Sequence, residues 1–185
     1  MTAKDLPTPA TLRKLLSYKP DTGLMTWKRR PLEMFRAARD CNSWNAKHAG
    51  RAAFTATNAR GYRQGAIFGK LYYAHRVAYA IHHGEWPAKH IDHVNGGKVD
   101  NRIANLRDVT PSTNARNAAM WSNNTSGACG VEWVRCSGKW RARIGFHGKS
   151  VHLGYFENFE DAVAARKAFE AVNGFTDRHG RPALD

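Results

Sequence analysis

Acidic residues are in short supply in this chain. There are 15 Asp and Glu against 29 Lys and Arg in 185 residues, giving a formal net charge of +14 and a pI near 10.1. That balance makes a polyanion the leading expectation for a partner. Cysteine is scarce too: Cys41, Cys129 and Cys136 are an odd number with no CxxC spacing, so neither a disulfide framework nor a zinc ribbon is expected, and a reducing compartment fits best. Long apolar runs are missing. No stretch is long enough to span a bilayer, and there is neither a signal-peptide core nor a basic amphipathic helix with a broad apolar face. An anionic membrane is therefore the weaker polyanion, and the expected location is the cytoplasm. What is plentiful argues for a folded chain: 42% hydrophobic and 11% aromatic content excludes wholesale disorder. Looseness is expected only in the first few residues and after about Asp177.

The positive charge is uneven. Residues 1–70 hold 14 Lys and Arg against 4 Asp and Glu, or +10 of the total. Within them TPATLRKLLSYKPDTG predicts a short helix with Leu12, Leu15 and Leu16 on one side, a turn at PDTG and a strand at LMTWKRR. Residues 36–60 carry little periodicity and read as loop or short strands. GYRQGAIFGKLYYAHRV predicts a hairpin about Gly69 and Lys70 that leads into a helix ended by Gly84. Thr110 and Pro111 then make a helix start, with Thr as N-cap and Pro in the first turn, and place Asn114 and Asn117 on one face of a helix over 111–120.

Residues 90–117, HIDHVNGGKVDNRIANLRDVTPSTNARN, put an aspartate beside a histidine and follow them with asparagines. Hydrolysis of a phosphodiester needs a water, a base to take its proton and a cation to stabilise charge building on the phosphate. Adjacent residues of an extended strand point to opposite faces, so Asp92 can face a metal while His93 faces a water. Asn114 can return an amide oxygen to the same ion. Carboxylate and amide oxygens are hard ligands that suit Mg²⁺ or Mn²⁺ rather than zinc. A neutral imidazole, with an unperturbed pKa of about 6.5, accepts a proton at neutral pH. The bland alternative makes NGG a tight turn, DNR a capped loop and Asn114 a surface residue. Grouping His82, His83, His90 and His93 as a metal cluster fits no single helix face.

The strings DHVNG, DNRIANLR and STN, at residues 92–96, 100–107 and 112–114, closely resemble the HNH endonuclease family, in particular its phage and intron homing type. The resemblance implies a ββα-metal finger in which His93 is the general base and Asp92 and Asn114 ligate one divalent ion. Asn105 would pin the loop and so orient the base. The third family position is often His; Asn114 stands there and favours magnesium. Whether Asn114 or Asn117 ligates stays open. GKLYYAHRVAYAIHHGEWP resembles the family's lead-in, and His75 with Arg76 at that helix start can touch phosphate, with a structural His at the helix terminus as the alternative.

Beyond a polar linker at 121–130, VEWVR, GKWRARIGF and KSVHLGYF predict a three-stranded antiparallel sheet. A helix follows, capped by Asn158 with Asp161, in which Ala162, Ala165, Phe169 and Val172 recur. On the middle strand Trp140, Ala142, Ile144 and Phe146 share one face and Arg141 and Arg143 the other. A basic sheet face of this kind can lie against DNA, with Arg135, Lys139, Lys149 and His152 extending it, although a merely solvated face competes. Residues 130–174 are similar to the plant ethylene-response-factor (Apetala) type of DNA-binding domain. They depart from it at Glu132, Val134 and Gly145, where that family usually has arginine.

The expected fold class is thus α+β: a ββα-metal (HNH) module plus a small three-stranded sheet packed on one helix. The expected organisation is a basic segment at 1–70, the nuclease module at 71–120, the linker at 121–130, the DNA-binding domain at 131–175 and a tail at 176–185. The expected function is metal-dependent cleavage of double-stranded DNA by a phage homing-type enzyme in the host cytoplasm, with no obligatory protein partner. A non-cleaving DNA-binding regulator is the competing class, and charge alone leaves room for RNA.

Overall fold

A computed structural model of the chain describes residues 6–117, 120, 123–177 and 179–181. The chain mixes helix and strand and divides into two compact units, residues 1–108 and 109–185. Among the described residues no helix is long and apolar enough to cross a membrane.

The first unit opens with helix α1 (Pro9–Leu15), capped by the Thr8 side chain, which accepts from Thr11 N. Strands β1 (Leu16–Lys19) and β2 (Leu24–Trp27) form a hairpin around the expected PDTG turn. Leu12, Leu15 and Leu16 are all buried, as their spacing predicts, although Leu16 already belongs to β1.

Helix α2 (Ala38–His48) then occupies a stretch expected to be loop or short strand. Its periodicity is faint because its fully buried positions are Cys41 and Asn45, one turn apart and neither strongly apolar. Its ends still suit a helix, with Asp40 in the first turn and Lys47 and His48 in the last. Asn45 ties the helix to Arg30, accepting from its backbone N at 2.8 Å and donating to its O at 2.9 Å.

Strands β3 (Ala56–Thr57), β4 (Arg63–Ile67) and β5 (Lys70–Tyr73) make a three-stranded antiparallel sheet. From it runs α3 (Ala74–His83), which Gly84 ends in the left-handed conformation. Strands β6 (His90–His93) and β7 (Leu106–Val109) then pair. One hydrophobic core joins Leu12, Leu15, Met25, Phe54 and Ile67 to Val77, Ile81, Ile91 and Leu106. The boundary drawn at residue 70 therefore falls inside a single core: the basic segment and the lead-in helix fold together.

In the second unit α4 (Pro111–Ala115) starts at Thr110, whose Oγ1 accepts from Thr113 N at 3.2 Å. The expected helix over 111–120 is shorter, with Asn117 in a turn where its N donates to Asn114 O. Residues 118 and 119 lie outside the described residues, as do 121 and 122 of the expected linker and 178 and 182–185 of the tail.

Strands β8 (Val131–Val134), β9 (Lys139–Phe146) and β10 (Lys149–Phe156) form the expected antiparallel sheet in the order β10-β9-β8. It packs on α5 (Phe159–Val172) around Val131, Ala142 and Ala162. Two details of α5 differ from expectation. Asn158 makes no side-chain cap and instead donates to Asp161 Oδ2 at 3.3 Å. Val172 is 82% exposed, while Arg166 is buried and donates to the carbonyls of Cys129 and Arg143 and to Glu170.

Candidate active site and nucleic-acid surfaces

Strand β6 carries Asp92 and His93, 7% and 4% exposed. The strand alternates, yet neither face is open. On one side Arg107 of β7 holds the Asp92 carboxylate, its Nη2 and Nε lying 2.6 and 2.8 Å from Oδ2. On the other side the His93 ring meets His75 edge-on at 5.2 Å and Tyr62 at 5.9 Å.

Asn101 Oδ1 lies 3.4 Å from His93 Nε2. An amide oxygen only accepts, so this pairing assigns the ring proton to Nε2 and makes Nδ1 the basic nitrogen. Burial lowers the His93 pKa, opposed by the hydrogen bond it donates to Asn101 and by the charges of Asp92 and Asp100. The ring is therefore held neutral, in the form that accepts a proton.

The loop between β6 and β7 is fastened by Asn105. Its Oδ1 accepts from Asn95 N at 2.9 Å, its Nδ2 donates to Asp100 O at 2.9 Å, and its backbone O accepts from Val94 N at 3.0 Å. Asp100 is itself clamped. Arg102 donates to both its oxygens and Asn95 to one of them, and these bonds, the Arg102 bond foremost, hold its carboxyl down to about 2.

The β1–β2 hairpin braces the same loop from outside. Tyr18 Oη donates to Asn101 O at 2.7 Å, and Ile103 N donates to Pro20 O at 3.0 Å. Gly23, at φ +72°, lies so close that a Cβ there would sit 2.6 Å from Arg102 N and Asn101 C. Burial, with Asp100 and Asp21 nearby, raises the Tyr18 hydroxyl to about 12, so it stays a donor at every working pH.

This segment matches the HNH endonuclease family. The match runs over residues 72–116. Over 60 residues the chain is also 33% identical to Protein 3.8 of Escherichia phage T7, covering 32% of this chain and 50% of that protein. It thus spans about half the length of the curated relative it matches. No solved structure matches.

Of the residues the sequence singles out, Asp92, His93, Asn105 and His75 gather in the first unit around the β6–β7 loop. His75 is buried and stacks on Tyr73 at 5.3 Å. Burial first, then His93 and Arg76, pushes its pKa to about 3. It is an interior imidazole. Arg76 is committed as well, donating to Lys89 O and Pro87 O at 2.9 and 3.0 Å. Tyr62, Asn101, Arg107 and Tyr18 were given no role by the sequence; only Asn101 and Arg107 stand inside the quoted motif. Among the described residues no group of three or more His, Cys, Asp or Glu is placed to hold a metal ion.

Asn114 lies in the second unit on α4, half-buried, its N bonded to Thr110 O at 2.9 Å. The Asn117 side chain is buried, and its Oδ1 accepts from Thr176 Oγ1 at 2.7 Å.

The outer face of the β8–β10 sheet is less cationic than its arginines suggest. Glu132 of β8 stands opposite Arg141 and pairs with it at 2.7 Å and with Arg143 at 3.0 Å. The Arg141 hydrogen bond, helped by the charge of Arg143, lowers the Glu132 pKa. Lys139 pairs with Glu157 at 2.8 Å. His152 stands opposite Arg143, its ring 4.9 Å from Tyr155. Lys149 begins β10 and is exposed, while Arg135 lies in the turn after β8 and not on a strand.

Proposed function

We propose that the chain is a divalent-metal-dependent DNA endonuclease of the HNH kind, related to phage homing-type enzymes. The observation that carries this reading is His93: a buried imidazole whose Nε2 lies 3.4 Å from Asn101 Oδ1, beside a buried carboxylate, on a strand whose following loop is fastened by Asn105. His93 Nδ1 takes the proton from the attacking water. General-base action of this kind is typically worth 10²- to 10⁴-fold in rate. Asn105 and Asn101 are positioning residues, one fixing the loop and the other the ring.

The donor set fits a hard ion. Of the ligands that the family resemblance implies, Asp92 of the first unit would offer a carboxylate and Asn114 of the second an amide oxygen, both hard donors of the kind that suits Mg²⁺ or Mn²⁺. Asn114 is favoured over Asn117, whose side chain is committed to Thr176. When bound, the ion supplies charge that stabilises the phosphorane-like state and the departing oxygen. The sheet of the second unit, which resembles Apetala-type domains, would place the enzyme on duplex DNA through Arg135, Arg141, Arg143, Lys149 and His152.

The test is conversion of supercoiled plasmid to open circle in Mg²⁺, in EDTA, and with His93→Ala. Metal-dependent conversion that the variant loses supports the reading; equal conversion by the variant sinks the mechanism. The ion pair between Arg107 and Asp92 favours a second reading, a DNA-binding regulator whose carboxylate never takes a metal. Intact DNA binding with no conversion in any divalent ion would select it.

A further inference from the structure

The tip of the β4–β5 hairpin carries a residue that the turn itself disfavours. Ile67 pairs with Lys70, so Phe68 and Gly69 alone make the turn. Both have positive φ, 49° and 76°, as a two-residue type I′ turn requires, and that turn favours Asn followed by Gly. The β9–β10 turn has the same form at His147 and Gly148, with φ of 49° and 75°. Histidine tolerates the left-handed region, whereas a bulky side chain there is an outlier. Packing does not offset this, because Phe68 is 58% exposed, and Leu71 on the same hairpin is 60% exposed. A Cβ added at Gly69 would meet nothing within 4 Å, so the tip projects into open space.

Beneath the ring lies a cation. The Arg30 guanidinium is 5.8 Å from the Phe68 centroid and stacks on Trp44 at 3.8 Å and Trp27 at 5.2 Å. Burial lowers the Arg30 pKa only from its very high ordinary value, and it stays charged. A strained, exposed aromatic at a projecting tip, with a fixed positive charge under it, is built to meet another molecule. Residues 1–108 hold 19 Lys and Arg against 8 Asp and Glu, a balance of +11, so that molecule is an anion with flat apolar faces.

Resting on the endonuclease reading, we propose that the β4–β5 hairpin enters a groove of duplex DNA and that Phe68 inserts between base pairs as an unstacking wedge, with Arg30 facing the phosphates beside the opened step. Apolar wedges of this kind part a base step and kink the duplex. Stacking of a base on an aromatic ring is strong enough to register in affinity.

The experiment uses the full-length protein in EDTA, which withholds the metal, on relaxed plasmid with a metal-independent topoisomerase, so that unwinding is read as a shift in linking number. Short-duplex affinity and melting temperature are measured alongside. The wild type is expected to shift the linking number. Phe68→Asn, which suits the turn better, should lose the shift and bind roughly tenfold more weakly with an unchanged or raised melting temperature. Phe68→Trp should keep the shift. An Asn variant with the full shift overturns the wedge, and so does one whose melting temperature falls together with its affinity, since that marks Phe68 as a packing residue. A wild type that nicks plasmid in Mg²⁺ but never unwinds it sinks the wedge alone. A wild type that neither binds nor nicks duplex sinks the endonuclease reading beneath it.

Discussion

Asn105 fastens the loop between β6 and β7 with one side chain. Its amide satisfies Asn95 N and Asp100 O at once, and truncation leaves two backbone groups to find other partners, at a typical cost of about 1–3 kcal/mol each when such groups are buried. Asn105→Ala should therefore lower the nicking rate by roughly a hundredfold, within the range expected when a general base is misplaced, with duplex affinity changed little. Parallel nicking and gel-shift measurements check this, and a rate within twofold of wild type would count against it. The histidines give a second prediction. His75 and His179 are held neutral by burial, near 3 and 4, below the ordinary value of about 6.5. As pH falls through the window from 6.5 toward those values, the unfolded chain binds protons that the folded chain refuses. Stability drops with a slope of up to about 1.4 kcal/mol per pH unit for each group. Urea midpoints at pH 7, 6 and 5 should fall in that order, and His75→Gln should make the decline shallower; an unaltered profile would refute the assignment. His93, Asp92 and Asn105 were legible because a short motif string names them. Asn101 and Arg107 stand in the same string and gained no role, because only geometry shows which side chain meets which.

The β1–β2 hairpin is an element whose use cannot be read from its own sequence. PDTG announces a turn, but its purchase on the loop at 101–103 lies some 80 residues along the chain, where no periodicity reaches. Tyr18, Pro20 and Gly23 together fix the backbone that presents Asn101 to His93. Tyr18→Phe removes one hydrogen bond, worth about 1 kcal/mol net. It should reduce the nicking rate several-fold while leaving the melting temperature within a few degrees. Gly23→Ala is harsher, since it demands a left-handed φ of a residue with a Cβ and drives that Cβ into the loop backbone. It should abolish nicking before it abolishes folding, as activity and near-ultraviolet circular dichroism measured together would show; nicking at the wild-type rate would remove the hairpin from the site's support. Helix α2 escaped notice for a different reason. Its buried positions are a thiol and an amide that serve Arg30, and hydropathy patterning detects apolar faces only. In α5 the spacing correctly marks a helix and puts Ala162 inside, but it puts the exposed Val172 there too and misses the buried Arg166, which satisfies two carbonyls, of Cys129 and Arg143, that lie far from it in the sequence.

Across the whole molecule the charge is concentrated in the stretch of sequence that carries the β6–β7 loop. Residues 1–108 carry +11, whereas residues 109–185 hold 10 Lys and Arg against 7 Asp and Glu, only +3. Counterion release scales with the phosphates neutralised, with a slope near −0.9 per contact for duplex DNA. The first unit should therefore supply most of the salt dependence, although the sequence assigns DNA recognition to the second. Glu132 sharpens the argument, since one carboxylate already takes contacts from both Arg141 and Arg143. Exposed pairs of this kind add little to stability, but they remove charge from the face that would meet phosphate. Replacing both arginines with alanine should thus flatten the plot of log affinity against log salt by about one contact rather than two. Glu132→Gln should do the opposite, tightening duplex binding and steepening the plot as both guanidinium groups are released. Gel shifts across 50 to 200 mM salt, a range over which several phosphate contacts change affinity by orders of magnitude, separate these outcomes. If Glu132→Gln leaves the slope unchanged, the sheet face does not meet the DNA backbone, and the basic first unit holds the duplex without it.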